Sequence, residues 1–302
     1  MVKTALRNLE MTVLGLGFLG LAWGKSRLNG YSTPNTVAKS DPDGQIAYLL
    51  DIFASLRRFM PPGFDVRGRD VLELSPGASR GNGVLFLALG ARSYHAIDVF
   101  DLAGGEDPAF YQRLLARFPE GNAFGRARAS ALAGAASPRA FGYAVGRDFD
   151  IPRLSEGRQF DLIVSCAAFE HYDDPASAIA AMTQVARPGC EAVHIIDLQT
   201  HSRWIREQDP NNIYRYPAPL YRLFAFPGQP NRLRPADYMS SFETEGWSDV
   251  RFVPSRTVDP ALREASLSGL SAPFAGRDDM IILDGALTAR YPGKAGWPGA
   301  ST

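Results

Sequence analysis

Val71-Leu-Glu-Leu-Ser-Pro-Gly77 reads as a short apolar strand that runs into a turn of small residues. A helical stretch from Gly83 to Leu89 follows it. Ser93-Tyr-His-Ala-Ile-Asp98 then reads as a second strand, ending on a carboxylate twenty-one positions after Gly77. The same alternation continues outward in both directions. Ala47 to Leu56 has apolar residues at helical spacing and stops at Pro61-Pro62-Gly63, and Pro108 to Phe118 is amphipathic. Arg126 to Ala136 reads as an alanine-rich helix, Phe141 to Val145 as a third strand and Phe160-Asp-Leu-Ile-Val-Ser165 as a fourth. Asp174-Pro175 opens the next helix, with Asp at the N-cap and proline where its missing N–H costs nothing; it runs to Val185, before Pro188-Gly189. Ala192 to Asp197 is the fifth strand, Pro235 to Glu245 a helix stopped by Gly246, and Val250–Val253 and Met280–Leu283 are the last two strands. Strands and helices in this order specify an α/β fold with a doubly wound, mostly parallel, seven-stranded sheet.

Such a sheet binds its ligand beyond the carboxyl ends of its strands, at the point where strand order reverses. Two features fall there. The turn Glu73-Leu-Ser75-Pro-Gly77 lets backbone approach a ligand closely, and Asp98 can accept both hydroxyls of a ribose. No Walker lysine follows the turn, so a phosphate is not its natural occupant.

The 302 residues are 45% hydrophobic and 21% charged, which excludes a disordered chain. Thirty-two basic residues balance thirty-two acidic ones, so no global field draws the chain to nucleic acid. Cys166 and Cys190 form neither a disulfide framework nor a zinc motif, and no metal site is expected. Together these features suit a cytoplasmic enzyme.

The amino terminus stands apart. Between Glu10 and Lys25 all fourteen positions except Thr12 are apolar or Gly, too short a run for the roughly 20 residues of a spanning helix. Three readings are open: a segment packed on the domain, a peripheral membrane contact through residues 11–24, or an export signal lacking a clear cleavage site. Gly15-Leu-Gly17-Phe-Leu-Gly20 matches the dinucleotide fingerprint. That motif needs a helix after its glycines and an acidic residue about twenty positions on. Turn-like sequence follows instead, with no carboxylate before Asp41, so a nicotinamide site is not expected.

Over residues 45 to 290 the chain resembles a class I S-adenosylmethionine-dependent methyltransferase, in particular bacterial ones encoded among polysaccharide and secondary-metabolite genes. The resemblance rests on four segments in order. They are Val71–Gly77, Asp98, Phe160-Asp-Leu-Ile-Val-Ser-Cys-Ala-Ala-Phe-Glu-His171 with Asp174-Pro175, and the Ala186-Arg-Pro-Gly189 turn before the fifth strand. It departs at Ser75 and Ser79, where the family usually has glycine. It implies S-adenosylmethionine as cofactor. Glu73, Ser75 and Gly77 would lie at its methionine part, Asp98 at its ribose, Asp148 and Phe149 at its adenine (Asp150 being the close competitor), and the backbone of Ser165-Cys166 at the methyl group. It also implies residues 1–44 as an extension, residues 199–234 as a cap insertion and residues 291–302 as a tail.

A hydroxyl acceptor benefits from a base titrating near neutrality, which directs attention to the histidines. His95 and His194 lie inside strands and read as core residues. His171 follows the fourth strand and His201 the fifth, so both fall on the rim and are the candidate bases, with Asp197 able to orient His201 or to join Asp173 at a metal. Neither an Asn/Asp-Pro-Pro-Tyr motif nor a Pro-Cys motif follows the fourth strand, and Cys166 reads as a small buried residue. The expected acceptor is therefore a hydroxyl of a small molecule or glycan, not nucleic acid. N- or C-methylation of a metabolite and non-catalytic cofactor binding are the alternatives. Trp204 to Arg234, rich in Arg, Tyr and Asn, reads either as a polar lid with aromatic faces for a sugar ring or as a solvated insertion.

Overall fold

The computed structural model describes residues 2–29, 41–105, 107–118 and 135–293. Seven strands form one sheet in the order β3-β2-β1-β4-β5-β7-β6. The central strand β1 (Asp70–Leu74) pairs in parallel with β2 (Ser93–Asp98) and with β4 (Phe160–Cys166). Next, β2 pairs with β3 (Phe141–Val145), and β4 with β5 (Ala186–Asp197), again in parallel. The last strand, β7 (Ile282–Tyr291), inserts antiparallel between β5 and β6 (Ser248–Thr257). Strand order reverses between β1 and β4, which places the ligand crevice above their carboxyl ends.

Every residue of β1 is buried, because helices cover both faces of a parallel sheet. On one face lie α2 (Pro42–Phe59), α3 (Gly81–Ala88) and α4 (Pro108–Arg117). The inward row of α2, Ile46, Leu49, Phe53 and Leu56, steps by three or four residues, and Phe53 meets Phe86 edge-on at 4.9 Å. On the other face lie the single turn α5 (Ile151–Leu154), α6 (Pro175–Val185) and α9 (Pro235–Thr244). Asp174 caps α6 as expected, accepting from the Ser177 N–H at 3.1 Å.

The expected strands are all present, with three differences in extent. The turn residues Ala186–Gly189 belong to β5, accommodated by a register shift between Phe160 and Leu162 on β4. Met280 and Ile281 form a helical turn, so β7 begins at Ile282 and extends to Tyr291, where the tail was expected to start. Pairing with β7 also lengthens β6 beyond the four residues its apolar pattern marks. Most of the helix expected at Arg126–Ala136 lies outside the described residues.

The amino terminus overturns the reading of its length. Val2–Asn29 is one helix, α1, of 28 residues, and Thr4–Asn29 is long and apolar enough to cross a membrane, with a mean hydropathy of 1.2 over its most apolar 18 residues. The fourteen-residue run is only its middle. Thr12 to Gly20 is helical throughout, so the glycine pattern has neither the strand nor the turn of a dinucleotide site. Gly15 instead permits close packing, since a Cβ there would stand 1.9 Å from Asn212 Oδ1 and 2.3 Å from the Tyr216 hydroxyl.

The cap insertion is also corrected. It carries α7 (Arg203–Gln208), a helical turn over Asn212–Arg215, and α8 (Ala218–Leu223). Tyr214, Tyr216 and Tyr221 are buried in a third apolar cluster with Phe274 and Met280, so these rings are not faces for a sugar. Nor is the segment a solvated loop. Arg215 and Asp209 form an ion pair at 2.5 Å with both side chains fully buried, and Arg215 also donates to the carbonyls of Ser268 and Ala265, on and beside α10 (Arg263–Leu267). Arg234, wholly buried, donates to the carbonyls of Asp279 and Ile282 and to the Tyr214 hydroxyl. Short polar side chains bonded to backbone hold the insertion together, and such bonds leave no periodic trace in a sequence.

Candidate active site

The crevice floor is the β1 turn and the end of β2. Ser75 sits at φ +54° and Gly77 at φ +70°, both left-handed. A left-handed position favours glycine, which accounts for the family's glycine where this chain has Ser75. The Ser75 hydroxyl lies 3.3 Å from that of Tyr172. Asp98 is 5% exposed; its carboxylate accepts from the N–H groups of Gly77 (3.3 Å), Val99 (2.7 Å) and Phe100 (3.3 Å). Burial pushes its carboxyl above the usual range and these three donors pull it down. Turn and carboxylate thus lie side by side, with acceptor lone pairs left over.

Glu73 has another task. It is buried, and its two oxygens accept from Asn82 Nδ2 (2.9 Å) on α3 and from the Tyr94 hydroxyl (2.5 Å) on β2. It braces the turn rather than presenting a carboxylate to the crevice. At the end of β3, Asp148 pairs with the Arg153 guanidinium at 2.7 Å, while Asp150 caps α5 through the Arg153 N–H. Phe149, at φ +48°, lies 5.1 Å from the Tyr172 ring. Asp150 is thereby committed to the cap, Asp148 is held by Arg153, and Phe149 reaches the crevice residue Tyr172. The side chain of Ser165 turns into the sheet, 2.8 Å from His194 Nδ1, so only its backbone and that of Cys166 can face a ligand. Burial pushes the Cys166 thiol up to about 12, followed by the charge of Glu170, and no thiolate forms there at neutral pH.

His95 and His194 are core residues, as expected. His95 is held between the Leu154 carbonyl and Arg158, and burial drives His194 down to about 3. The two rim histidines meet, their rings 4.7 Å apart and edge to face. The Nδ1 of His171 lies 2.6 Å from the Gly228 carbonyl, and that of His201 3.0 Å from the Gln199 carbonyl. A carbonyl can only accept, so both Nδ1 atoms carry the proton and both Nε2 atoms keep a free lone pair. Burial and the neighbouring imidazole of His201 hold His171 below its ordinary value; burial lowers His201 against the pull of Asp197.

Three further residues belong to the site. Glu170 is 3% exposed, and burial and then Asp197 raise its carboxyl well above the usual range. One oxygen accepts from the Asp197 N–H at 3.3 Å and the other has no partner among the described residues. Glu170, His171 and His201 each offer a ligand atom within 4.8 Å of the others. Tyr48 comes from α2; burial, and then the charges of Cys166 and Glu170, raise its hydroxyl. Asn231 donates to the carbonyls of Phe169 and Tyr172, tying the cap to the rim. The Glu170-His171 doublet is visible in the sequence, but nothing there links Tyr48 to it. Asp197 bonds Gln199 and Arg206, and orients His201 only through the intervening turn.

Residues 125–193 match the model of a family described as a methyltransferase domain. No curated protein matches the chain in sequence. Among solved structures, the chain is similar to the CurJ carbon methyltransferase (14% identity, 84% of this chain and 57% of that one, TM-score 0.42). It is also similar to an S-adenosylmethionine-dependent methyltransferase from Mesorhizobium loti (16%, 82% and 99%, 0.42). A third likeness is to an O-methyltransferase family protein from Burkholderia thailandensis (12%, 84% and 59%, 0.44). The chain thus spans just under three fifths of the first and third of these and nearly all of the second. The family match over residues 125–193, together with a sheet in which β7 runs antiparallel between β5 and β6, bears out the expected likeness to class I S-adenosylmethionine-dependent methyltransferases. The cofactor of that family is S-adenosylmethionine, and the geometry of the crevice fits it. The close-approach turn and the Asp98 carboxylate, with lone pairs to spare, suit the amino acid and ribose ends, and the Asp148–Phe149 corner suits the adenine.

Proposed function

We propose that the protein methylates a hydroxyl of a small molecule or glycan, in the cytoplasm. The observation that carries this reading is the pair of imidazoles at the ends of β4 and β5, each fixed through Nδ1 and open at Nε2. When bound, the cofactor supplies an electrophilic methyl group on a sulfonium. The chain holds the reactants in line, which lowers the barrier by positioning, and takes up the proton that the acceptor hydroxyl loses. His201, exposed at the rim, receives that proton at Nε2. His171 fixes the ring beside it, and Glu170 completes the wall. We assign the imidazoles as bases rather than metal ligands, because burial and the charge of Asp197 favour the uncharged form of Glu170, which is a poor third ligand. The absence of excess positive charge supports an acceptor other than nucleic acid.

The test uses methyl-labelled cofactor with extract of the source cells, comparing wild type, His201→Ala and Asp98→Ala. The label is expected as an O-methyl ether and insensitive to EDTA. Loss of His201 lowers turnover about 10²–10⁴-fold, the usual share of a general base, with affinity for S-adenosylhomocysteine unchanged. Asp98→Ala weakens that affinity about 10- to 150-fold, the value of one charge-assisted hydrogen bond. Label on nitrogen or carbon, full turnover without His201, or loss of activity on chelation reversed by a divalent ion would overturn the assignment.

A further inference from the structure

The described chain exposes eleven large hydrophobic side chains, and eight of them lie on α1 and the cap it packs against: Leu6, Leu9, Val13, Phe18, Leu21 and Leu28 of α1, and Trp204 and Leu223 of the cap. The pattern along α1 explains this. Met11 and Gly15 are buried against the cap, where Asn212 Nδ2 donates to the Met11 carbonyl at 2.8 Å and the Tyr216 hydroxyl to that of Thr12 at 3.2 Å. Arg7 and Asn8 also bond on this side, to the Gln208 carbonyl and the Ser268 hydroxyl. Positions 6, 9, 13, 17, 21, 24 and 28 advance by three or four and form the opposite face. Gly17 and Gly24 on that face have nothing within 4 Å of where a Cβ would stand. The docked side of the helix, with Met11 buried and Leu16 and Leu19 packed on the apolar cluster of the cap, is thus spent on the protein, and a second row of apolar residues faces out. Apolar surface this continuous marks an interaction site.

Charge selects the occupant. From Met11 to Gly24 there is no charged residue, while exposed Lys25 and Arg27 of α1, Arg203 of α7 and Arg222 of α8 edge the patch, against Glu10 and Glu207. Phe18 stacks on Trp204 at 5.9 Å, and Arg27 lies over Trp23, which meets Phe224 edge-on. A cation-rimmed apolar strip with tryptophans at its margin complements an anionic bilayer. In a symmetric contact between two copies the same cations would face one another. We propose that α1 and the cap form a face that lies flat on an anionic phospholipid bilayer, so that the acceptor hydroxyl belongs to the head of a membrane-held amphiphile. The second clause rests on the methyl-transfer reading and on position. His201 stands three residues before Trp204, within about 10 Å along the chain, so the base opens at the edge of the docking face.

Flotation of the full chain with vesicles tests this. Wild type is expected to float with phosphatidylcholine/phosphatidylglycerol vesicles and at least tenfold less with phosphatidylcholine alone or at high salt. Val13→Glu/Leu21→Glu and Lys25→Glu/Arg27→Glu are each expected to lower flotation at least tenfold, with melting temperature and S-adenosylhomocysteine affinity unchanged. In the labelling assay the product is expected in the organic phase of a lipid extraction. Absence of flotation by a wild type that binds S-adenosylhomocysteine overturns the docking face alone, and a concentration-dependent dimer dispersed by Val13→Glu/Leu21→Glu would give the face to a second copy. Flotation with all label in the aqueous phase overturns the amphiphilic acceptor. Failure to bind S-adenosylhomocysteine counts against the methyl-transfer reading and leaves the docking result standing.

Discussion

Replacing Gly15 by alanine should destabilise the protein, although the same change elsewhere on α1 should stabilise it. Glycine inside a helix costs about 0.8–1.0 kcal/mol relative to alanine, so Gly17→Ala, with nothing within 4 Å of its new methyl group, gains roughly that amount. At Gly15 the methyl group would stand 1.9 Å from Asn212 Oδ1. Asn212 cannot swing aside freely: it is 1% exposed, donates to the Met11 carbonyl and to Asp209, and accepts from the Tyr216 hydroxyl at 2.7 Å. Moving it breaks its bond to the Met11 carbonyl and the one it accepts from Tyr216, at about 1 kcal/mol each, and adds about 1–3 kcal/mol of overpacking. Less the helix gain, the net loss is about 2–4 kcal/mol. Thermal unfolding followed by tryptophan fluorescence would read this as a fall of roughly 5–15 °C in Tm for Gly15→Ala and a small rise for Gly17→Ala. A Gly15→Ala protein as stable as Gly17→Ala would refute the docking of α1 on the cap.

Three other outcomes follow from the site and the sheet. Ser75→Gly removes a left-handed cost of about 1 kcal/mol and loses one long hydroxyl contact, so stability and S-adenosylhomocysteine affinity should stay within a few-fold of wild type. Ser75→Val, β-branched at φ +54°, should lose most binding by calorimetry, and equal behaviour of the two variants would remove the strain argument. Turnover requires neutral imidazole, and burial lowers both His171 and His201, so the acid limb of the kcat profile should fall below the ordinary histidine value of 6.5. A limb above 6.5 would assign the proton to another group. At the amino ends of the strands, burial pushes the Asp70 carboxyl up, but bonds from Arg92, Ser93 and Arg187 overcome it and hold it at about 2 against 3.8 when free. A depressed carboxylate stabilises the fold above its unfolded value and loses that contribution as pH falls from about 4 towards 2. With half-exposed Arg92 discounted for solvent screening, the loss is about 1–2 kcal/mol in urea unfolding. Asp70→Asn should remove this part of the pH dependence, and an unaltered dependence would contradict it.

The strands were legible because their signals are local. Val71–Leu74, Ser93–Asp98, Phe141–Val145 and Phe160–Ser165 are apolar runs bounded by turn residues, and a parallel sheet buried on both faces requires such runs. Asp98 and Gly77 were legible for the same reason, since each stands at a strand end. The cap was not. Asp209, Asn212, Arg215 and Arg234 are polar residues whose burial depends on carbonyls and carboxylates brought from elsewhere in the chain, among them those of Met11, Ala265 and Ile282. Composition gives such residues to the surface.

By itself the sequence determined the sheet, its turn and its ribose carboxylate, because strand periodicity and turn chemistry act between near neighbours. Tertiary structure alone decided which groups meet. It turned Glu73 and Ser165 inward and committed Asp150 to a cap. It set two histidines thirty residues apart in sequence ring against ring. It also docked one side of α1 on the cap and left a second row of its apolar residues outward. Those pairings are set by the packing of distant segments, for which no local pattern of residues carries a record.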